Sequence, residues 1–335
     1  MSVFRILALL LVSCLFAATS WAEPLRVGHF PNLTHAQALV GRANAAYEKK
    51  IGQPIDWKAF NAGPSAMEAL LAGQLDIAFV GPNPAVNAFM RSKGKSLRII
   101  AGVASGGASL VVDPQAGIRN VKDFKGKKLA SPELGNTQDV ALRHWLKQQG
   151  LTIGRDVQVV PTKNADILQL LQRHQIAGAW VPEPWVTRLQ HESKATLFLD
   201  ERALWEGWRF PTAVLVVRNE FLRSNGPVVK RFLEAHIEVS EWINSNPAAA
   251  RKIINEQLAT LAGKALPTAM LTEALSRMLI TYDPLTAQLL TSAGRAADLG
   301  FLPRETVFKR SELPKIVDLS LLNELLKARL KPLLK

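Results

Sequence analysis

The stretch Gly73-Gln-Leu-Asp-Ile-Ala-Phe-Val-Gly-Pro-Asn-Pro84 joins a glycine that ends a helix to an apolar run and then to a proline-rigid loop. The apolar run, Leu75–Val80, has the length and composition of a buried strand. The same order of helix, strand and proline loop recurs in Leu170-Leu171 and Ile176-Ala-Gly-Ala-Trp-Val-Pro-Glu-Pro184. This repetition favours two lobes built on one plan. The alternative is that strand–helix units resemble one another by composition alone.

The rest of the chain also alternates short apolar runs with amphipathic stretches. This alternation is typical of an α/β fold, and we predict two lobes, each a mainly parallel sheet flanked by helices, with a helical C-terminal part. Proline and glycine mark the ends of the elements. The predicted strands are 25–30, 55–60, 75–80, 98–101, 110–112, 127–130, 157–160, 176–181 and 213–217. The predicted helices are 35–50, 67–71, 137–149, 166–173, 228–245, 248–260, 268–281, 286–299 and 319–334.

The chain is expected to pass twice between the lobes. A Gly/Ser-rich passage, 102–109, leaves the first lobe, and Phe210-Pro211-Thr212 returns to it. We therefore predict a discontinuous first lobe, 24–105 with 212–320, and an inserted second lobe, 106–211. Two crossings make a hinge, and a hinge beside a cleft is typical of proteins that close on a ligand.

The N-terminal 22 residues have the features of a secretory signal peptide. Arg5 precedes an apolar run, Ile6–Ala18, and Ser20-Trp-Ala22 fits a cleavage site. Export to a bacterial periplasm follows from this interpretation. Leu11-Val-Ser-Cys14 also resembles a lipoprotein cleavage box, which would leave a lipid anchor on Cys14. Because Cys14 is the only cysteine, the chain forms no internal disulfide.

Composition and charge exclude several classes of protein. Of 335 residues, 48% are hydrophobic, which excludes wholesale disorder. Lys and Arg total 41 against 28 Asp and Glu, a formal charge of +13. No basic run is interleaved with aromatic residues, so we predict no nucleic-acid binding. The basic amphipathic segment 321–335 is interpreted as a helix packed on a lobe, with contact to an anionic membrane surface or a permease as the alternative.

Known catalytic and cofactor motifs are missing from the sequence. There is no G-x-S-x-G, no G-x-x-x-x-G-K-[ST], no G-x-G-x-x-G and no H-E-x-x-H. The six histidines are scattered without metal-ligand spacing. We therefore expect no cofactor, no metal and no enzymatic activity. An exported hydrolase that uses Glu183 as a general base is the alternative from another class.

Tight loops follow four of the predicted strands. They are Phe30–Thr34, Gly63–Ser65, Gly81–Asn83 and Leu134–Thr137, and three of them lead into helices. Ligands of open α/β sheets bind outside the carboxyl ends of strands, and free N–H groups at helix starts bind anionic oxygens. Ordinary helix capping explains a lone Ser or Thr equally well, so the functional interpretation depends on the loops lying together.

Glu183 stands between two prolines at the end of a buried strand, with Trp185 two residues later. The prolines fix the backbone, so both side chains point reproducibly. Glu183 is a candidate acceptor for a ligand amine or for an opposing amide, and the alternative is a structural cap of its own loop. Trp185 is a candidate wall of the cleft. Three further aromatic residues are also candidates for lining the cleft: Trp205, Trp208 and Phe210. The alternative for these three is core packing.

Gly73–Pro82 and Gly178-Ala-Trp-Val-Pro-Glu-Pro-Trp185 resemble the periplasmic substrate-binding proteins of ABC importers of the nitrate/sulfonate/taurine family. The order of motifs matches over nearly the whole chain after the signal peptide. The resemblance implies a type II periplasmic binding protein fold, a small-molecule ligand, and an ABC permease with its ATPase as partner. It assigns ligand contacts to His29, Phe30, Asn32, Ser65, Pro82, Asn83, Ser109, Asn136, Thr137, Glu183 and Trp185.

The ligand predicted from these residues is a small organic anion or zwitterion. The four loops contain no Lys or Arg, so N–H groups, hydroxyls and amides would hold the anion, with Arg209 as a supplement. An acceptor at Glu183 favours a ligand that also has donors. The order of preference is an aliphatic sulfonate or taurine-like compound, then a thiamine-precursor pyrimidine, then nitrate. We expect a monomer.

Overall fold

The structure is a computed structural model that describes residues 23–302 and 309–335. The predicted signal peptide 1–22, with Cys14, lies outside the described residues. Among the helices of these two ranges, none has the length and apolar character of a membrane-spanning segment.

Eleven strands in the described ranges form two sheets, and the α/β class is confirmed. The strands are β1 (Leu25–His29), β2 (Ile55–Ala59), β3 (Ile77–Val80), β4 (Leu97–Gly106), β5 (Ala108–Val112), β6 (Lys128–Ser131), β7 (Gln158–Pro161), β8 (Gly178–Pro182), β9 (Thr196–Asp200), β10 (Pro211–Arg218) and β11 (Met278–Ile280). Sheet A has the order β11-β4-β10-β3-β1-β2, and sheet B has the order β7-β6-β8-β5-β9.

Helices flank both sheets. In the described ranges they are α1 (Ala36–Asn44), α2 (Ala46–Ile51), α3 (Gly63–Leu71), α4 (Pro82–Arg91), α5 (Thr137–Gln148), α6 (Asn164–Gln172), α7 (Trp185–Glu192), α8 (Asn219–Ser224), α9 (Gly226–Ser245), α10 (Pro247–Ala262), α11 (Thr268–Ser276), α12 (Thr286–Asp298) and α13 (Ser320–Ala328).

Both sheets are mixed, although the sequence predicts mainly parallel ones. β1 pairs in parallel with β2 and β3, and β6 pairs in parallel with β7 and β8. In contrast, β10 is antiparallel to β3 and β4, and β5 is antiparallel to β8 and β9. The reason is that β5 and β10 enter each sheet from the other sheet, at the edge where the parallel strands end. They therefore run in the opposite direction.

The two sheets share one strand order. Sheet A contains β2-β1-β3-β10-β4, and sheet B contains β7-β6-β8-β5-β9. In both, three parallel strands are followed by the strand that crosses over and then by a strand antiparallel to it. This correspondence supports the interpretation that the two halves follow one plan.

Each sheet is covered on both faces by its own hydrophobic core, whose burial is the main driving force for folding. We call the elements packed on sheet A lobe A and those packed on sheet B lobe B. We propose the predicted boundaries for them, with 24–105 and 212–320 in lobe A and 106–211 in lobe B. The largest core side chains of lobe A include Tyr47, Phe79, Phe89 and Phe232, and those of lobe B include Phe124 and Trp180.

Several elements differ from the prediction. The helix expected over 35–50 breaks at Ala45, which has a left-handed φ of 50°. The helix expected over 268–281 ends at Ser276, because the apolar residues of β11 join the edge of sheet A instead. The glycine-containing passage after residue 101 continues β4, because a Cβ atom at Gly102 would lie 2.1 Å from the Asp283 carbonyl oxygen. No side chain fits there, so the strand needs glycine at this position.

The C-terminal helix is shorter than predicted and packs on lobe A. Leu322, Leu325 and Leu326 of α13 are buried in the core of that lobe. The residues after it fold back, and the Asn323 amide exchanges hydrogen bonds with Leu334 at 2.8 and 2.9 Å. These contacts agree with the interpretation of a packed helix.

Candidate functional site

The carboxyl ends of six parallel strands, three from each sheet, meet at a cleft between the lobes. A small cavity lies there, which is the position at which open α/β sheets bind ligands. Lobe A contributes the segments after β1, β2 and β3, and lobe B contributes those after β6, β7 and β8. The lining residues are Phe30, Asn32, Thr34, His35, Asn61, Ala62, Gly63, Gly81, Pro84, Pro132, Asn136, Thr137, Gln138, Asn164, Pro182 and Thr212.

The cavity is polar but uncharged. Among the described residues that line it, none is Asp, Glu, Lys or Arg. Helices α3, α4, α5 and α6 all begin at its wall, and each helix start carries about half a positive charge. In α5, the Asn136 side chain accepts a hydrogen bond from the Asp139 N–H at 2.7 Å. The N-cap residues of the other three helices, Ala62, Gly81 and Lys163, make no side-chain capping hydrogen bond. Such a surface suits the oxygens of an anion.

His35 adds a neutral donor to this wall. Its Nδ1 accepts a hydrogen bond from the Phe30 N–H at 3.3 Å, so the ring proton is on Nε2. Burial holds the pKa of His35 well below its usual value of 6.5, and nearby His29 lowers it further. The ring is therefore uncharged at neutral pH.

Two buried polar atoms of the residues that form the lobe B wall of the cavity lack partners among the described residues. They are the Thr137 Oγ1 and the Asn164 Oδ1, and both residues line the cavity. The Thr137 hydroxyl faces Gly81 of lobe A, where an added Cβ atom would lie 2.3 Å from it. The lobes therefore touch at the cavity wall.

Glu183 lies beside the cavity but does not line it. Its carboxylate accepts hydrogen bonds from the Thr187 N–H and hydroxyl, both at 3.1 Å, and from the Arg277 Nη1 of lobe A at 2.7 Å. Its N–H donates to the Gly107 carbonyl at 2.8 Å, and its carbonyl accepts from the Leu33 N–H at 3.1 Å. Burial raises the pKa of the Glu183 carboxyl, and the Arg277 guanidinium opposes this rise. The carboxylate that the sequence predicts as a ligand acceptor is thus occupied by an ion pair between the lobes.

Arg277 extends this ion pair into a network. Its Nη2 donates to the Gln190 Oε1 at 2.9 Å and to the Glu273 Oε1 at 2.6 Å. On the same face, the Lys264 Nζ lies 3.0 Å from the Glu192 Oε2. The network joins α7 of lobe B to the end of α11 in lobe A. The network therefore stabilises the contact between the lobes. Its charged side chains do not line the cavity.

Four of the eleven predicted ligand residues line the cavity: Phe30, Asn32, Asn136 and Thr137. The other seven have different surroundings. Pro82 begins α4, and Ser109 is buried in β5. The Ser65 hydroxyl donates to the Ala62 carbonyl at 3.0 Å.

Asn83, His29 and Trp185 are held by protein contacts. Asn83 pairs through both ends of its amide with Ser292 of α12, at 2.9 and 3.2 Å. His29 is buried edge-on against Trp57, with ring centroids 5.7 Å apart. Trp185 belongs to the core of lobe B, under the Arg188 guanidinium at 4.3 Å. These side chains were predicted from their loops alone, and the direction of each depends on distant partners.

The aromatic candidates before the return crossing do not line the cavity either. Trp205 and Phe210 stack with ring centroids 5.6 Å apart, whereas Trp208 is 61% exposed. Arg209, the predicted supplement for an anion, lies 3.8 Å from the Asp283 carboxylate. Core packing explains Trp205 and Phe210, and a surface ion pair explains Arg209.

Sequence reasoning missed several lining residues, among them His35, Asn61 and Asn164. Asn61 and Asn164 follow β2 and β7, so the rule that ligands bind beyond strand ends would have found them had it been applied to every strand. Nothing in the sequence marks His35, because its role depends on the Phe30 N–H that fixes its tautomer.

A family model described as the NMT1-like family matches residues 19–258. The chain belongs to the NMT1-like family. The taurine-binding periplasmic protein of Escherichia coli (strain K12) is 29% identical over 214 residues. That match covers 63% of this chain and 64% of the relative, so slightly less than two thirds of the relative's length is matched.

Solved structures similar to this NMT1-like chain show the fold. The alkanesulfonate-binding protein SsuA from Xanthomonas axonopodis pv. citri, bound to MOPS, superposes with a TM-score of 0.72 at 22% identity, covering 88% of this chain and 98% of that one. The periplasmic nitrate-binding protein NrtA from Synechocystis PCC 6803 gives a TM-score of 0.78 at 15% identity, covering 91% and 88%. The predicted periplasmic binding protein fold is thus confirmed.

Proposed function

We propose that this protein is the periplasmic solute-binding component of an ABC importer. It captures a small organic anion or zwitterion, an aliphatic sulfonate or taurine-like compound, in the cavity between the lobes. It then delivers the ligand unchanged to a permease and its ATPase. The observation that carries the proposal is the cavity at six strand ends, where four helices begin and where none of the described lining residues is Asp or Glu.

A permanent anion can be held without a counter-ion when several hydrogen-bond donors surround it. A sulfonate has three oxygens and stays ionised, so it accepts several hydrogen bonds at once. Backbone N–H groups at helix starts, the neutral His35 and the amides around the cavity supply such donors. The taurine-binding and alkanesulfonate-binding relatives support the same ligand class for this chain.

A chemical role for Glu183 is not part of this proposal. A general base needs a carboxylate that reaches a bound substrate, and Glu183 is instead occupied by Thr187 and Arg277. A cavity formed by two lobes suits capture by closure, in which contacts to both lobes shift the population towards the closed form.

Isothermal titration calorimetry on the purified chain tests the proposal. The ligands are taurine, ethanesulfonate, butanesulfonate, nitrate and an aminopyrimidine. We expect micromolar or tighter binding of at least one sulfonate, and mass spectrometry should recover the ligand unchanged. Lack of binding by every sulfonate, or chemical conversion of a ligand, would overturn the proposal.

A further inference from the structure

The lobe B wall of the cavity contains two polar atoms whose hydrogen-bonding capacity is unused. Thr137 is 5% exposed and Asn164 is 4% exposed, and neither the Thr137 Oγ1 nor the Asn164 Oδ1 has a partner among the described residues. Leaving a buried polar atom unpaired destabilises the unliganded form. A ligand that pairs with both atoms would remove this destabilisation on binding.

The topology places these two residues at the starts of neighbouring helices. Thr137 is the first residue of α5 and Asn164 is the first residue of α6. The two helices follow β6 and β7, which are adjacent parallel strands with Ser131 opposite Pro161. Both residues line the same cavity.

The two groups differ in what they can bind. A hydroxyl donates or accepts, so the Thr137 hydroxyl at the start of α5 can donate to an anionic oxygen. An amide carbonyl oxygen only accepts, so the Asn164 Oδ1 needs an N–H or O–H from its partner. With Glu183 bound to Arg277, no carboxylate of the described chain lines the cavity, and the Asn164 amide provides a buried acceptor there.

We propose that Asn164 is a specificity-determining residue that accepts a hydrogen bond from an N–H group of the ligand, while Thr137 donates to the ligand's anionic group. This inference rests on the proposed capture of an organic anion in the same cavity. It narrows the ligand class to small anions that also have an amino group. It also assigns recognition of the amine to an amide that carries no charge.

The test compares taurine with 1-propanesulfonate, in which a methyl group replaces the ammonium group. Calorimetry on Asn164→Ala should show about tenfold weaker taurine binding and unchanged 1-propanesulfonate binding, because only the amine loses a partner. Asn164→Asp should bind taurine at least as well as the wild type and 1-propanesulfonate more weakly, because its added negative charge attracts the ammonium group and repels the anion. Since the Asn164 side-chain oxygen has no protein partner, these variants should fold.

Thr137 has a matched pair of variants. Thr137→Val should weaken both ligands by about tenfold, because both have the sulfonate, whereas Thr137→Ser should retain binding. Asn61→Ala, on the lobe A side of the cavity, should leave the ratio of the two affinities unchanged.

The outcomes separate this inference from the proposed function. Equal losses of both ligands in Asn164→Ala or Asn164→Asp would overturn the role of Asn164, because the amide would then be donating to the anion. In that case wild-type binding would still support the proposed function. A wild-type chain that binds neither compound would overturn both.

Discussion

A Cβ atom built on Gly81 would lie 2.3 Å from the Thr137 Oγ1, across the boundary between the two lobes. Gly81 has a φ of −67°, a value that any residue adopts without strain. Glycine is therefore required at this position because Thr137 of lobe B approaches too closely for a side chain. A residue that looks like part of a turn in the sequence sets how closely the lobes meet.

Gly81→Ala should therefore hinder closure without destabilising lobe A. We expect at least tenfold weaker ligand binding in calorimetry, because real Cβ contacts are not this short and the lobes must move apart. Gly294→Ala is the control, since an added Cβ atom in α12 meets nothing within 4 Å. Equal affinities of wild type and Gly81→Ala would contradict the contact.

Breaking the ion pair between Glu183 and Arg277 should shift the lobes towards an open arrangement. Arg277→Gln leaves the Glu183 carboxylate buried without its counter-ion in the closed form, and opening restores its contact with water. The loss of one partner of a buried pair costs about 3–5 kcal/mol, so we expect ligand affinity to fall by about a hundredfold or more. Small-angle scattering should show a larger radius of gyration in the absence of ligand.

A double-mutant cycle isolates the pair. Glu183→Gln combined with Arg277→Gln should lose less affinity than the sum of the single changes. Lys264→Gln removes a rim contact with Glu192 in which the lysine is largely exposed, and it should change affinity less than about threefold. Additive effects of the two central changes would show that the residues act independently.

Glu201 should make stability depend on pH. Burial raises the pKa of its carboxyl to about 7, while a hydrogen bond from the Trp180 Nε1 at 2.8 Å and the nearby Arg295 oppose the rise. The folded-state pKa lies above the usual 4.5, so between pH 4.5 and 7 the folded protein holds a proton that the unfolded chain has lost. This contribution therefore stabilises the fold as pH falls through that window.

Glu201→Gln, which does not titrate, measures this contribution. Relative to the variant, the wild type should gain up to about 3 kcal/mol of unfolding free energy between pH 8 and pH 4.5. Denaturant midpoints of both proteins at the two pH values test it. The comparison cancels the opposite effect of His29 and His236, whose pKa values burial lowers to about 4. Parallel pH profiles would contradict the prediction.

Asn83→Ala should affect stability and leave ligand binding unchanged. The Asn83 amide is used at both ends by Ser292, so its loss costs about 1–3 kcal/mol in the packing of α4 on α12. Thermal unfolding and calorimetry should show a lower midpoint with an unchanged dissociation constant. Asn136→Ala, at a residue that lines the cavity, should weaken binding as well. Similar losses of affinity in both variants would mean that Asn83 reaches the ligand.

The sequence was sufficient to predict the fold class and the general position of the cavity, because strand ends and helix starts are local features. Phe30, Asn32, Asn136 and Thr137 were found in this way, and all four line the cavity. Glu183 was interpreted differently because its partner, Arg277, is 94 residues away along the chain. The pairing of Asn83 with Ser292 was not predicted for the same reason, since the two residues are 209 positions apart along the chain. Local patterns indicate which loops meet, whereas the direction of each side chain depends on long-range pairing.

The shared strand order of the two sheets has a consequence for how a guest molecule sits. Gly81 follows β3 and Glu183 follows β8, which are corresponding strands of the two sheets. Position 81 is a glycine without a side chain, whereas position 183 is a carboxylate that pairs with Arg277 of lobe A. The internal symmetry is therefore broken at the cavity, where Gly81 lines the wall and Glu183 does not, and an elongated molecule with unlike ends meets two unlike walls. Such a molecule should bind in a single orientation, in which its two ends do not exchange places.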